Sequence, residues 1–106
     1  MSELEDLFAM QLDELSIPYE REVKFDKTRK WRADFLLPGK VIVELQGGTW
    51  MARSGHNTGR GLIRDYEKSN AAQLAGYKYL QYPAERVNDM TAIKEIDKLF
   101  WNLRKE

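Results

Sequence analysis

The stretch WRADFLLPGKVIVELQ, residues 31–46, decides the fold. Two runs of β-branched and aromatic residues flank Pro38-Gly39-Lys40, which predicts a β-hairpin. If those three residues form the turn, facing residues have numbers that sum to 78, and Asp34 lies opposite Glu44. A turn one residue shorter or longer would put the two acids on opposite faces, unless a bulge corrected it. The hairpin hypothesis therefore demands one particular register.

Two carboxylates in facing positions repel each other unless a cation or a proton shares the site. A hard divalent cation, Mg²⁺ or Mn²⁺, would resolve that repulsion, because it prefers carboxylate and carbonyl oxygens as ligands. The predicted metal ligands are Asp34, Glu44 and the backbone carbonyl of Leu45. The alternative interpretation is structural: Asp34 pairs with a neighbouring arginine, and Glu44 faces solvent near Lys40.

Apolar periodicity predicts the elements outside the hairpin. In chain order they are a helix over about 3–15, a strand over 19–25, the hairpin, a helix from Leu62 to Gly76, a strand over 77–82 and a C-terminal helix. Ser2 and Glu5 form a capping-box signature for the first helix. The residues predicted to line the buried face of the second helix are Leu62, Ile63, Tyr66, Ala71, Leu74 and Ala75. This order predicts an α/β fold with a mixed four-stranded sheet flanked by helices and an extra C-terminal helix.

The chain has 106 residues, 42% of them hydrophobic, so we expect a single domain over residues 1–106. The lack of cysteine excludes disulfides and Cys-ligated zinc. No apolar run is long enough for a membrane span and the acidic start is unlike a secretory signal, so we expect a cytoplasmic protein that does not bind membranes. Net charge is zero, but residues 1–20 carry −6 and residues 21–64 carry +6. Bulk charge alone therefore does not predict nucleic-acid binding, whereas its distribution allows it.

Several short motifs together resemble one family. Arg32-Ala33-Asp34-Phe35, followed by Val43-Glu44-Leu45-Gln46, resembles the core of PD-(D/E)XK nucleases, where an Asp and an acid-X-Lys segment on adjacent strands hold catalytic metal. The other matching segments are Tyr19–Glu22, Gly47–Trp50, His56–Gly61 and Asp65–Ala71. Over roughly residues 3–87 the chain is similar to small phage and bacterial endonucleases related to the very-short-patch-repair group. The resemblance implies a restriction-endonuclease-like αβββαβ core.

The resemblance also implies an activity and its residues. It implies a metal-dependent DNA endonuclease that acts on junctions, flaps or nicks in phage or bacterial recombination or repair. The implied catalytic residues are Asp34, Glu44, Gln46, Lys68 and Glu5. Gln46 stands where the family has lysine, so Lys68 on the following helix is the replacement cation. Glu5 is the implied extra acid, with Glu22 as an alternative.

Nucleic-acid contacts are predicted mainly for the basic half of the chain and for its glycine-rich loop over residues 47–61. The predicted residues are Arg32, Trp50, Arg53, His56, Arg60 and Arg64. A basic turn, Lys27, Arg29 and Lys30, is either a further contact or a solvated turn. The expected partner is DNA, and cutting both strands would require a homodimer. The alternative function is a catalytically weak or inactive nucleic-acid-binding module on the same scaffold.

Overall fold

The computed structural model of the chain describes residues 2–47 and 59–105. The helices are α1 (Glu3–Glu14), α2 (Gly59–Leu74), α3 (Ala84–Asn88) and α4 (Thr91–Lys105), and the strands are β1 (Glu20–Lys24), β2 (Arg32–Leu37), β3 (Val41–Gln46) and β4 (Lys78–Pro83). The predicted order of elements is confirmed. Helix α3 is an addition, since five residues are too few to show a helical period.

The four strands form one mixed sheet in the order β1-β2-β3-β4. β1, β2 and β3 are antiparallel neighbours, and β4 returns parallel to β3 after the α2 crossover. Phe35 faces Val43 and Leu37 faces Val41, so the numbers sum to 78 as the three-residue turn requires. Gly39 and Lys40 take left-handed φ values of 80° and 61° to make that turn. The predicted register is confirmed.

Helices cover both faces of the sheet. The larger core lies on the side of α1, α3 and α4, and its fully buried side chains include Phe8, Leu12, Phe35, Val43 and Ile96. The smaller core lies under α2, where Ala72 packs with Ile42 and Ala33. The result is a helix–sheet–helix layering in which one face is far more apolar than the other.

Helix α2 turns the opposite way from the sequence prediction. Ile63, Tyr66 and Leu74 are 58%, 64% and 88% exposed, and the helix buries Ala72 instead. Asp65, Lys68 and Ser69 are partly buried on the side toward the sheet. The predicted apolar inner face is therefore wrong. The reason lies in the sheet, because the surface beneath α2 carries polar side chains of β3 that attract the polar side of the helix.

The start of α1 and the end of α2 follow ordinary capping chemistry. Ser2 caps α1 by accepting from the Glu5 N–H at 3.1 Å. Gly76, with φ of 94°, follows α2, and the Tyr77 N–H donates to the Ala72 carbonyl at 3.0 Å. Across residues 2–47 and 59–105, no helix has the combination of length and apolar content that crossing a bilayer would require.

Candidate active site

Three acidic residues, Glu22, Asp34 and Glu44, occupy facing positions on β1, β2 and β3. On one side, Arg21 faces Phe35 and Val23 faces Ala33, which leaves Glu22 opposite Asp34. On the other side, the register of the hairpin leaves Glu44 opposite Asp34. We call these three residues the carboxylate row. Glu22 has a left-handed φ of 55°, so β1 departs from extended geometry where it meets the row.

Asp34 and Glu44 each accept a backbone hydrogen bond from the other's strand. The Asp34 N–H donates to Glu44 Oε2 at 2.8 Å, and the Leu45 N–H donates to Asp34 Oδ2 at 2.9 Å. The Cα pairing of β2 with β3 stops at Phe35 and Val43. Beyond that pair, these two carboxylates accept the backbone N–H groups that would otherwise bond to carbonyls of the neighbouring strand. Both acids are therefore fixed at the point where the strands separate.

Strand alternation also breaks at Asp34. Phe35 packs in the core under α1, whereas Ala33 packs in the core under α2. Strict alternation would place these two residues on one face of the sheet. The irregular backbone at Asp34 therefore lets its carboxylate lie near both the α1 side and the α2 side of the sheet.

Glu44 is a buried carboxylate, 6% exposed, whose other oxygen has two further partners. The Tyr79 hydroxyl donates to Glu44 Oε1 at 3.0 Å. Lys68 Nζ forms an ion pair with the same oxygen. Burial, and then the Glu44 charge, raise the pKa of Tyr79, so the phenol stays protonated and remains a donor. The ion pair with Glu44 places Lys68 of α2 beside the predicted pair of acids.

Asp34 holds its proton more tightly than an ordinary aspartate. Burial and then the neighbouring Glu44 charge raise the pKa of Asp34 from 3.8 to about 7, partly offset by the Leu45 N–H. Near neutral pH the pair therefore favours taking up a positive charge, either as a proton or as a cation.

A second acidic group adjoins Asp34 from the α1 side. One carboxylate oxygen each from Glu5, Glu22 and Asp34 lie within 4.8 Å of one another. Arg21 Nη2 lies 3.6 Å from Glu5 Oε1 and 3.1 Å from Asp6 Oδ1. The Glu5 side chain therefore faces the carboxylate row and Arg21, and it does not complete the predicted capping box with Ser2.

A polar cleft of about 230 Å³ opens on the α2 side of these acids. The residues that line it are Asp34, Glu44, Leu45, Gln46, Gly47, Asp65, Lys68, Tyr79 and Gln81. The Gln46 amide donates from Nε2 to Gln81 Oε1 at 3.1 Å. Four of the five residues predicted as catalytic therefore line one cleft, and the fifth, Glu5, approaches Asp34 from behind it.

No protein-family profile matches the sequence, and no curated protein sequence matches it. In structure, the chain superposes on the catalytic domain of the homing endonuclease I-Bth0305I with a TM-score of 0.68, 21% sequence identity and 97% coverage of both chains. The fold is similar to that of a homing-endonuclease catalytic domain. The match spans nearly all of both chains, so the similarity concerns the whole α/β arrangement and not one motif.

Of the residues predicted to contact nucleic acid, the structure describes the side chains of two, Arg32 and Arg64. Both are exposed, and neither lines the cleft. Arg32 faces Lys24 in the β1–β2 register, at the end of β1. The predictions for Trp50, Arg53 and His56 fall outside the described residues. Arg60 lies in the first turn of α2, and its side chain is likewise outside the description.

Sequence reasoning missed Tyr79 and Gln81 and gave Glu22 only as an alternative to Glu5. Alternation along the predicted strand 77–82 places Tyr79 and Gln81 on one face, and this was the available signal. Placing them beside Glu44 also requires the parallel register of β3 with β4, in which Glu44 faces Gln81. That register depends on the crossover through α2, which the sequence does not specify.

Proposed function

We propose that this chain is a metal-dependent DNA endonuclease of the PD-(D/E)XK type, which hydrolyses phosphodiester bonds. The observation that carries the proposal is the Asp34–Glu44 pair, each acid fixed by a backbone N–H of the other's strand at the wall of a polar cleft. The similarity of the fold to a homing-endonuclease catalytic domain supports the endonuclease part of this proposal.

The donor set fits a hard divalent cation. Asp34 and Glu44 supply two carboxylates, and the Leu45 carbonyl belongs to the residue whose N–H already bonds Asp34. Burial and then the Glu44 charge raise the pKa of Asp34, and a cation at these oxygens would offset both effects, which favours Mg²⁺ or Mn²⁺ there. Such an ion, when bound, polarises a phosphate and lowers the pKa of a coordinated water.

The other residues of the cleft orient the proposed metal ligands and supply a positive charge. Tyr79 holds the orientation of Glu44 through its hydroxyl. Lys68 brings a positive charge to the cleft, where it can stabilise charge that develops on phosphoryl oxygens. The Gln46 amide can hydrogen-bond a water, and Glu5 adds a carboxylate on the far side of Asp34.

A plasmid-nicking assay with Mg²⁺ or Mn²⁺ tests the proposal. We expect nicking that requires the metal and that falls more than about 100-fold in Asp34→Ala and in Glu44→Ala, since even outer partners of metal sites are worth about 10- to 100-fold. Asp97→Ala, an exposed acid on α4, is the matched control and should cut normally. Cleavage that survives in both site variants, or none in the parent with any divalent metal, would overturn the assignment.

Gln46 favours a second candidate function, a nucleic-acid-binding module with weak or no cleavage. Its amide is bonded to Gln81, and β3 provides no cation at the position where the family has lysine. Gln46→Lys separates the two candidates. For the enzyme we expect the parent to cut; for the binding module, DNA binding without cleavage should persist in both the parent and Gln46→Lys.

The finer part of the proposal is a preference for structured DNA in phage or bacterial recombination or repair. Labelled duplex, nicked, flap and four-way-junction DNAs incubated with metal test it. Faster cleavage of one structure than of the plain duplex is the expected result, and equal rates on all of them would contradict it.

A further inference from the structure

The turn between β1 and β2 is strongly basic. Residues 24–32, which we call the basic hairpin, hold five cations and one acid, a net charge of +4. The five cations, all exposed, are Lys24, Lys27, Arg29, Lys30 and Arg32. Within residues 2–47 and 59–105, none of the five forms an ion pair. The positive charge of the hairpin is therefore free to act on a partner.

The single acid of the basic hairpin organises the turn. Asp26 Oδ1 accepts from the Thr28 N–H at 2.9 Å, the Thr28 hydroxyl at 3.0 Å and the Arg29 N–H at 3.0 Å. Three donors on one carboxylate oxygen hold the loop in a defined Asx-type turn. The neighbouring cations therefore project from an ordered scaffold, which reduces the entropy lost on binding.

An aromatic stack supports the hairpin from below. The Arg29 guanidinium lies 4.5 Å from the centre of the Trp31 ring. Trp31 stacks on Phe25 with 6.5 Å between ring centres, and Phe25 meets Tyr77 edge-on at 6.0 Å. Arg29 thus packs on an aromatic stack that connects the basic hairpin to Tyr77, beside the start of β4.

The base of the basic hairpin lies on the same two strands as Glu22 and Asp34 of the carboxylate row. Lys24 faces Arg32 at its base, and Glu22 and Asp34 lie two residues further along the same two strands. At about 3.3 Å per residue, the base of the hairpin is about 7 Å from the row along the sheet. Successive phosphates of one DNA strand advance about 3.4 Å along the helix axis. The two cations at the base of the hairpin, Lys24 and Arg32, are therefore at the distance of phosphates a few nucleotides from one held at Asp34.

We propose that the basic hairpin is a docking surface for duplex DNA, in which Lys27, Arg29 and Lys30 contact phosphates that flank the one to be cut. The inference rests on the proposed function for the identity of the partner as DNA. The contacts are to the backbone and therefore independent of sequence. This surface would fix the register of the duplex over the cleft.

Salt-dependent binding tests the docking surface without cleavage. Affinity for a fluorescein-labelled DNA duplex is measured by anisotropy in EDTA over a series of salt concentrations, for the parent and for Lys27→Gln/Lys30→Gln. Neither lysine has a described contact that the fold depends on. The slope of log K against log salt is negative, and each lost phosphate contact makes it shallower by about 0.9. We therefore expect the slope of the double variant to be shallower than that of the parent by about 1.8. Lys94→Gln/Lys98→Gln removes equal charge from exposed positions on α4 and should keep the parent slope.

The possible results separate this inference from the proposed function. A parent-like slope in the hairpin variant overturns the docking surface, as does an equal loss in the α4 variant, which would indicate bulk charge alone. A slope change seen only with duplex RNA would also overturn it. Plasmid cleavage by the parent, measured separately, decides the proposed function, so a parent that cuts while the hairpin variant binds normally defeats only the docking surface.

Discussion

Glu44 is the residue whose neighbours are most fully specified. One oxygen accepts from the Asp34 N–H, and the other accepts from Tyr79 and pairs with Lys68. Asp34 beside it accepts only from the Leu45 N–H among the described residues, and burial followed by the Glu44 charge raises its pKa to about 7. The two acids therefore have different surroundings, although they face each other across one strand pair.

Tyr79→Phe should lower the free energy of unfolding by about 1 kcal/mol, the usual net value of one hydrogen bond, with more lost if Glu44 is left short of donors. Urea unfolding in EDTA measures the change. Tyr66→Phe removes the same hydroxyl from a side chain that is 64% exposed, and we expect no change there. Equal effects of the two substitutions would show that the Tyr79 bond contributes nothing specific.

Asp34 should make the metal-free protein less stable as pH rises. Because the folded-state pKa is raised to about 7, the stability that its protonation contributes is fully present below 3.8 and is lost as pH rises through about 7. Asp26 and Asp89, with lowered pKa values, titrate below this window. Unfolding midpoints measured across it in EDTA should fall for the parent and fall less for Asp34→Asn; parallel curves would contradict the assignment to Asp34.

At the scale of elements, α2 is the helix whose orientation matters most for the cleft. It brings Lys68 and Asp65 to the β3 surface and leaves Leu74 88% exposed. Leu74→Ser should therefore change the unfolding free energy by no more than about 0.5 kcal/mol. Ala72→Leu, at a fully buried position, should cost about 1–3 kcal/mol through overpacking. Urea unfolding compares the two variants. A large loss of unfolding free energy in Leu74→Ser would contradict the exposed position of Leu74.

The β2–β3 hairpin and α2 show how far local sequence determines this structure. The register of β2 with β3 is predictable because turn length and strand alternation are local properties, and both meet at Pro38-Gly39-Lys40. The side that α2 presents is not local, because it depends on the polar surface of β3 beneath it. The same limit explains Tyr79, whose position beside Glu44 follows from a parallel pairing across a long crossover.

Within the candidate site, the facing acids were predictable and their surroundings were not. Asp34 and Glu44 follow from the hairpin register, and Lys68 was named from the family resemblance. The left-handed backbone at Glu22 and the side-chain bonds that replace the ladder have no local sequence signature. They arise where three strands bring three carboxylates to one level and the backbone adjusts.

At the scale of the whole molecule, the part of each chain that the structure describes holds one carboxylate row, so each binding event should cut one strand. We expect nicked circles to accumulate before linear plasmid, with linear product rising more steeply at higher protein concentration if two copies act together. A time course on an agarose gel measures the order of products. Linear plasmid that appears first at low protein concentration would contradict action by single chains.

Strand β1 is an edge of the sheet, and its composition restricts how copies of this chain can assemble. Four of its five residues are charged, and Glu22 at its centre has a left-handed φ of 55°. A strand that bends at its midpoint and carries charge along its length is a poor template for a neighbouring strand. A pair of chains that cut both DNA strands is therefore not expected to join through β1, and fibrous stacking along this border is disfavoured.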